Sequence, residues 1–211
     1  MAVARVQVAT SLVGKEQAFM DSVRKGKELF EAKGLANIVR VSHSGVTGLQ
    51  VWNISIFEDW KAYGETMDRV NADADMQAYL MENILNRSGE MLESFEMAEV
   101  AGFEQGVEPS GDVVMSTVWR VLPQEGMNAQ FLTSCAAAKE LHEKHGGRVR
   151  LWMGYGGAYS WRFIYNVGFD SFAAMGEFQQ SVSDEMAAFM LAQPVSGEVE
   201  QQIVLRASPI L

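Results

Sequence analysis

The chain has 211 residues, with 17 Lys and Arg against 27 Asp and Glu, a formal net charge of −10. That balance argues against a sequence-independent nucleic-acid binder or a protein of anionic membrane surfaces, both of which need a basic face. With 48% apolar and 21% charged residues, one cysteine and no run near the ~20 apolar residues of a membrane helix, the composition is that of a globular protein. It lacks the cysteines for an internal disulfide or a Cys-rich metal site.

The start, Met1-Ala-Val-Ala-Arg, has no basic segment followed by a long apolar one, so no secretory signal is read there and a cytoplasmic location is expected. Residues 4 to 12 read as a strand. Phe19, Val23, Gly26 and Phe30 then recur at helical spacing as one buried stripe, and Gly34 ends the helix. VRVSHSG and GLQVWNISIF predict two strands around a short Gly-containing turn. Glu58-Asp59 suits a helix N-terminus, and helical spacing runs on to about Arg87 before a last strand, MLESFEMAEV. Within that helix Asp68, Asn71, Asp73 and Asp75 lack the spacing of a calcium loop and predict a solvated face or a kink.

This βαββαβ order then returns. Shifted by 112 positions, residues 4–70 align with 116–182 without a gap and 15 of the 67 pairs are identical, against about four expected from ordinary composition. Gly14 meets Gly126, Phe19 meets Phe131, Lys27-Glu28-Leu29 meets Lys139-Glu140-Leu141, and Gly64-Glu65 meets Gly176-Glu177. After a four-residue shortening, Ser88-Gly89-Glu90 returns as Ser196-Gly197-Glu198. The second copy has strands near 113–122, 148–155, 160–168 and 199–207 and helices near 125–145 and 170–192. The expected organisation is a first repeat over 1–103, a Gly-, Pro- and acid-rich linker over 104–111, and a second repeat over 112–211.

An antiparallel four-stranded sheet with both helices on one face leaves the other face bare, and a second copy of the same sheet can cover it. The expected fold class is therefore α+β: two tandem ferredoxin-like repeats whose antiparallel sheets face each other as a fused α/β barrel. The whole repeat, together with Phe57-Glu58 and Phe169-Asp170 entering the second helices, resembles the dimeric α/β-barrel superfamily in its fused form. That resemblance implies relatives such as cofactor-free monooxygenases of aromatic polyketides, haem-handling enzymes, muconolactone isomerases and stress-induced proteins. Fold by itself assigns none of these activities.

A four-residue turn at 45–48 would set Ser44 opposite Leu49 and assign the faces. Val39, Val41, Trp52 and Ile54 would then lie under the helices. The inter-sheet space would be lined by Gln7, Arg40, Ser42 and Asn53 on one wall, and by Trp119, Trp152, Trp161, Phe163 and Tyr165 on the other. An aromatic wall facing an arginine and amides suits a small aromatic or polyketide-like metabolite carrying a carbonyl or phenolate; the other reading is that the two faces simply pack together, with Arg40 snorkelling outward. Asn53 and Tyr165 are candidate donors to a developing enolate, and His43 is a candidate base. The expected function is binding of such a molecule between the sheets, with cofactor-free oxygenation or isomerisation as its chemistry. The alternative is a non-catalytic ligand carrier or self-associating barrel, so a homo-oligomer is one expected state.

His142 takes the place of Phe30 on the stripe Phe131, Cys135, Ala138, His142. It reads first as a half-buried helix-end histidine, with base or axial haem ligand as further readings, and Cys135 reads as packing. His142 and His145 alone do not make a metal site, and GYGG at 154–157 reads as a strand end because no helix opens after it. Neither a metal nor a cofactor is expected. Walker, Gly-x-Gly-x-x-Gly-helix and Gly-x-Ser-x-Gly motifs do not occur in the sequence.

Overall fold

The structure, a computed structural model, describes residues 1–208, so the last three residues of the expected second repeat lie outside the description. In chain order it contains β1 (Val3–Ser11), α1 (Glu16–Ala32), β2 (Asn37–Ser44), β3 (Val51–Phe57), α2 (Trp60–Ala72), α3 (Ala74–Leu85) and β4 (Gly89–Glu99). The second half contains β5 (Val113–Val121), α4 (Met127–Lys144), β6 (Arg148–Gly157), β7 (Phe163–Phe169), α5 (Phe172–Ala192) and β8 (Gly197–Ala207). Among the described residues no helix is long and apolar enough to cross a membrane.

Local chemistry places the helices. Asp59 caps α2 by accepting from the Ala62 N–H (2.8 Å), and Ser171 caps α5 by accepting from the Ala174 N–H (3.1 Å). The helical run after Asp59 breaks at Asp73, whose carboxylate accepts from the Met76 N–H (3.0 Å) and pairs with Lys33 (2.6 Å). The first repeat therefore has two short helices where the second has the single α5.

All eight strands are antiparallel and close in the order β1-β3-β2-β8-β5-β7-β6-β4. Each repeat contributes four neighbouring strands, and the seams are β2 against β8 and β4 against β6. Closure removes the edges that two separate sheets would expose.

The hairpin register differs from the sequence expectation by one residue. Arg40 faces Trp52 and Val41 faces Val51, and the connection is longer than four residues, with Gly45 and Gly48 both at positive φ. A one-residue slip moves every side chain of the slipped strand, here β3, to the opposite face, while β2 keeps the expected one. Val39, Val41 and Val51 pack under α1 with Phe19 and Val23, whereas Trp52, Ile54 and Ile56 point into the barrel. The second hairpin shows the same change: Leu151 pairs with Tyr165 and Met153 with Phe163 on the helix side, while Trp152 pairs with Ile164 inside.

The space between the sheets is a packed core, built by Ala4, Val6, Val8, Trp52, Phe95, Met97, Val118, Trp152, Ile164, Ile203 and Leu205. Each hairpin connection adds a plug, Val46 in the first repeat and Tyr159 in the second. The Tyr159 ring meets Phe95 at 4.6 Å, and its hydroxyl donates to Gln201 Oε1 (2.6 Å). Of the two readings of the inter-sheet space, the packed one holds: aliphatic and aromatic side chains fill it.

Gly157 shows how tightly the β4–β6 seam is built. Its φ is 72°, and a Cβ there would overlap the Ser94 carbonyl oxygen. Gly157→Ala is expected to lower unfolding free energy by about 1–2 kcal/mol, since an L-residue is strained at positive φ. Urea titration provides the measurement, and Gly176→Ala provides the control: it lies inside α5 with nothing within 4 Å of the added Cβ, and should stabilise slightly.

Candidate functional site

A cavity of about 470 Å³ lies on the helix-covered side of the second repeat, between the β5–β7–β8 sheet and the antiparallel pair α4 and α5. Strand alternation delivers its floor: Met115, Thr117 and Trp119 of β5 pair across with Val167, Tyr165 and Phe163 of β7, and Phe163 packs against Phe131 (5.1 Å). Helical spacing delivers its roof, with Phe131, Cys135, Ala138 and His142 from one stripe of α4 and Phe178, Val182, Met186 and Phe189 from α5. Val195 and Val199, 77% and 52% exposed, form part of the rim.

Polar contacts join the two helices at either end of this space. Ser134 Oγ donates to Gln193 Oε1 (2.9 Å). At the other end Lys144 pairs with Glu185 (2.7 Å), and His145 contacts Ser181 Oγ through Nδ1 (3.1 Å) and Glu185 through Nε2 (3.3 Å). His142 and His145 thus turn to different partners and do not converge.

Inside the cavity one polar contact stands out. His142 Nδ1 lies 2.9 Å from the Tyr165 hydroxyl, with the ring also edge-on to Phe178. The imidazole Nε2 makes no hydrogen bond among the described residues and is not sealed from solvent. Burial, reinforced by nearby His145, pushes the His142 pKa down to about 4, and burial foremost, with Cys135 and Glu143 adding to it, pushes the Tyr165 phenol above its ordinary range. At neutral pH the pair is therefore an uncharged imidazole and an uncharged phenol. The Cys135 thiol is raised by burial to about 12, so it is a packing group and not a nucleophile.

The counterpart space in the first repeat is smaller, with about 190 Å³ left beside Thr66, Val70 and Met76. Gly26 stands where the second repeat has Ala138, and the Tyr79 ring rests on it, its hydroxyl donating to the Ser22 carbonyl (3.0 Å). Ser22 Oγ also reaches Asn83 Oδ1 (2.5 Å), and Lys25 pairs with Glu82 (2.6 Å), drawing α3 onto α1. The break at Asp73 gives α3 the freedom to lie there, and the uninterrupted α5 has no such bend.

The sequence-expected site residues scatter. Tyr165 and Trp119 line the cavity, and Phe163 packs beneath it. Gln7 and Asn53 pair with each other on the helix side of the first repeat, away from this cavity, and Asn53 Oδ1 is buried without a partner. Arg40 and Trp152 point to the barrel side, as their pairings with Trp52 and Ile164 require. Arg40 donates to the Gly111 and Asp112 carbonyls, and Trp152 lies under the Arg150 guanidinium at 4.4 Å. Ser42 Oγ accepts from the Gln50 N–H (2.9 Å) within its own hairpin. Trp161 is 72% exposed in the β6–β7 turn at φ 62°, and His43 is exposed with its ring 4.5 Å from Phe172. The two walls expected to face one chamber therefore do not meet. His142 was legible as an odd residue on a buried stripe, but its link to Tyr165 depended on the register. Ser134, Gln179, Gln193 and Gln202 of the lining carry no sequence signal.

No protein-family model matches the chain, and no curated protein matches it in sequence. Solved structures do match over nearly the whole length. One, from Fusobacterium nucleatum, provisionally assigned as a monooxygenase, shares 11% identity at a TM-score of 0.63, covering 98% of this chain and 94% of that one. An anthrone oxidase-like protein shares 11% at 0.53, covering 99% and 94%. A haem-binding protein from Thermus thermophilus shares 12% at 0.56, covering 99% and 92%. At these identities the likeness establishes the fold: the chain is a ferredoxin-like tandem repeat with the fused dimeric α/β-barrel architecture.

Proposed function

We propose that the protein binds a small, flat, mostly apolar molecule in the cavity beneath α4 and α5, anchored by the neutral His142–Tyr165 pair, and acts on it as a monooxygenase-like or isomerase-like enzyme. The observation that carries this reading is the pairing of an aromatic- and methionine-rich lining with one uncharged donor–acceptor couple that bridges its roof and floor. Trp119, Phe131 and Phe178 supply dispersion and ring contacts to a planar ligand, and the methionines adapt to its outline. A neutral, mostly apolar site also favours substrates that react through an uncharged tautomer. The fold shared with the anthrone oxidase-like protein supports an aromatic ketone as the ligand class.

Haem, the ligand named for the Thermus protein, fits less well. His142 Nε2 could ligate iron with Nδ1 held by Tyr165, but no lysine or arginine lines the cavity to meet the two haem carboxylates.

Ala138 sits in the cavity wall on α4, so Ala138→Trp fills the space without adding charge. Binding of anthrone, followed by quenching of tryptophan fluorescence or by saturation-transfer NMR, is expected for the native chain and at least tenfold weaker for the variant, about 1.4 kcal/mol. Equal binding by the two proteins would place the ligand elsewhere. Native mass spectrometry would expose a retained ligand and any self-association, the outcome that supports a carrier instead of an enzyme.

A further inference from the structure

The geometry points to a second binding site, outside the barrel at the β4–β6 seam, for a small organic cation bearing a quaternary ammonium group. It is separate from the cavity beneath α4 and α5 and does not depend on what that cavity binds.

The two seams of the barrel are built from matched residues. The 112-residue shift relates Trp60 to Phe172, Tyr63 to Met175, Tyr155 to His43 and Gly156 to Ser44, and the shift that aligns Ser88-Gly89-Glu90 with Ser196-Gly197-Glu198 relates Glu96 to Val204. The strand pairings agree, since Gly156 faces Glu96 at one seam as Ser44 faces Val204 at the other. At each seam a ring from the first turn of a helix lies on a ring from the other repeat's strand: Trp60 on Tyr155 at 5.6 Å, and Phe172 on His43 at 4.5 Å. Only the first of these pairs has a further ring and a carboxylate beside it.

Tyr155 and Tyr63 meet the Trp60 indole at nearly right angles, 82° and 85°, with centroids at 5.6 and 5.7 Å. Perpendicular rings at that spacing make a corner in which one cation lies within about 6 Å of more than one ring, and tryptophan is the strongest aromatic partner for it. Trp60 and Tyr155 are 39% and 44% exposed, so a solute can reach them.

Glu96 supplies the charge. Its Oε1 accepts from the Tyr63 hydroxyl (3.4 Å), and Gly156, next to Tyr155, leaves room for Oε2, which would lie 2.6 Å from an added Cβ. Arg5, opposite Glu96 on β1, donates instead to Met67 Sδ (3.4 Å), and Glu96 forms no ion pair among the described residues. A carboxylate beside the negative faces of aromatic rings is unfavourable alone, and a cation between them satisfies both. One carboxylate is too few oxygens for a hard metal ion, and a primary ammonium holds its water strongly, whereas a quaternary ammonium gives up little hydration to enter an aromatic corner. The net charge of −10 adds a general attraction for cations.

The test titrates choline, and separately its uncharged isostere 3,3-dimethylbutan-1-ol, into the ¹⁵N-labelled full chain at constant ionic strength while NMR follows the five indole N–H signals. The Trp60 signal is identified by its loss in Trp60→Phe. Choline is expected to shift that signal to saturation, and the isostere to bind at least about tenfold more weakly, a comparison made on the native chain. Glu96→Gln, which keeps the shape, should weaken choline at least about threefold, and Phe172→Leu at the other seam should leave it unchanged. Vesicles of phosphatidylcholine separate the two sources of this cation: cosedimentation that Glu96→Gln removes would assign a lipid headgroup, and its absence a free solute. A Trp60 signal that choline does not move, equal affinity for the two probes, or undiminished binding by Glu96→Gln would overturn the site.

Discussion

Arg150→Ala is expected to destabilise the protein by about 3–5 kcal/mol, the cost of leaving a buried carboxylate without its counter-charge. The Arg150 and Glu99 side chains are 2% and 1% exposed and lie 2.6 Å apart. Their other contacts make the pair a junction. Arg150 also donates to the Glu108 and Gly106 carbonyls, while Glu99 accepts from the Ala2 and Gln105 N–H groups at 3.0 and 2.8 Å. Burial lowers the Arg150 pKa and Glu99 opposes that shift, so the guanidinium stays charged. One ion pair thereby ties the start of β1, the end of β4, β6 and the segment joining the repeats. Arg40 and Arg148 also bind the joining segment, at the Gly111 and Ser110 carbonyls, and Arg40 reaches Asp112 just beyond it. Urea unfolding of Arg150→Ala, Glu99→Gln and Arg150→Met with Glu99→Leu supplies the check. The double variant should recover most of the loss, because no orphan charge remains. A single variant within about 0.5 kcal/mol of the native chain would mean that the pair holds nothing.

His142→Phe should flatten the acid limb of the stability curve by about 2–3 kcal/mol between pH 6.5 and 4. In the native state the imidazole holds off its proton until about pH 4, whereas the unfolded chain takes it up near 6.5. Below 6.5 the unfolded state therefore binds more protons than the folded one. The stability is fully present above that pH and is lost as the pH falls toward 4. The groups facing the ring are Tyr165, Phe178 and, by charge, His145. Phenylalanine fits the stripe, since Phe30 occupies the matching place on α1, but it leaves the Tyr165 hydroxyl without this partner. A constant offset at all pH values is therefore expected, and the informative quantity is the difference in slope. Parallel curves for the two proteins would show that His142 titrates alike folded and unfolded.

Much of this architecture was written in the chain. The 112-residue echo, the switch from alternating to helical spacing and the glycines at the turns lead to two βαββαβ repeats, and the bare faces lead to their association. Asp59 and Gly34 mark helix ends by chemistry that acts within a few residues. The identities of the residues flanking the cavity were equally legible: an imidazole on a stripe of core positions, with Trp119 and Tyr165 at strand positions where the first repeat has Gln7 and Asn53.

The site itself was not legible, and the reason is the hairpin. Its connection is longer than the four residues that spacing suggested, and the slip of one position exchanges the inside and outside of β3, and of β7 in the second hairpin, while β2 and β6 keep their faces. Asn53 passed to the helix side, Arg40 kept the barrel side but is spent on the Gly111 and Asp112 carbonyls, and Tyr165 passed from the barrel side to the helix side, where His142 waits. Sequence alone determined the topology, because periodicity, caps and turns are local and the repeat states them twice. Only the tertiary structure decided where a ligand could lie. Whether a space between a sheet and its helices stays open depends on contacts between residues far apart in the chain: Tyr79 lying on Gly26 fills much of one, and the unbroken α5 brings no such ring onto Ala138 in the other.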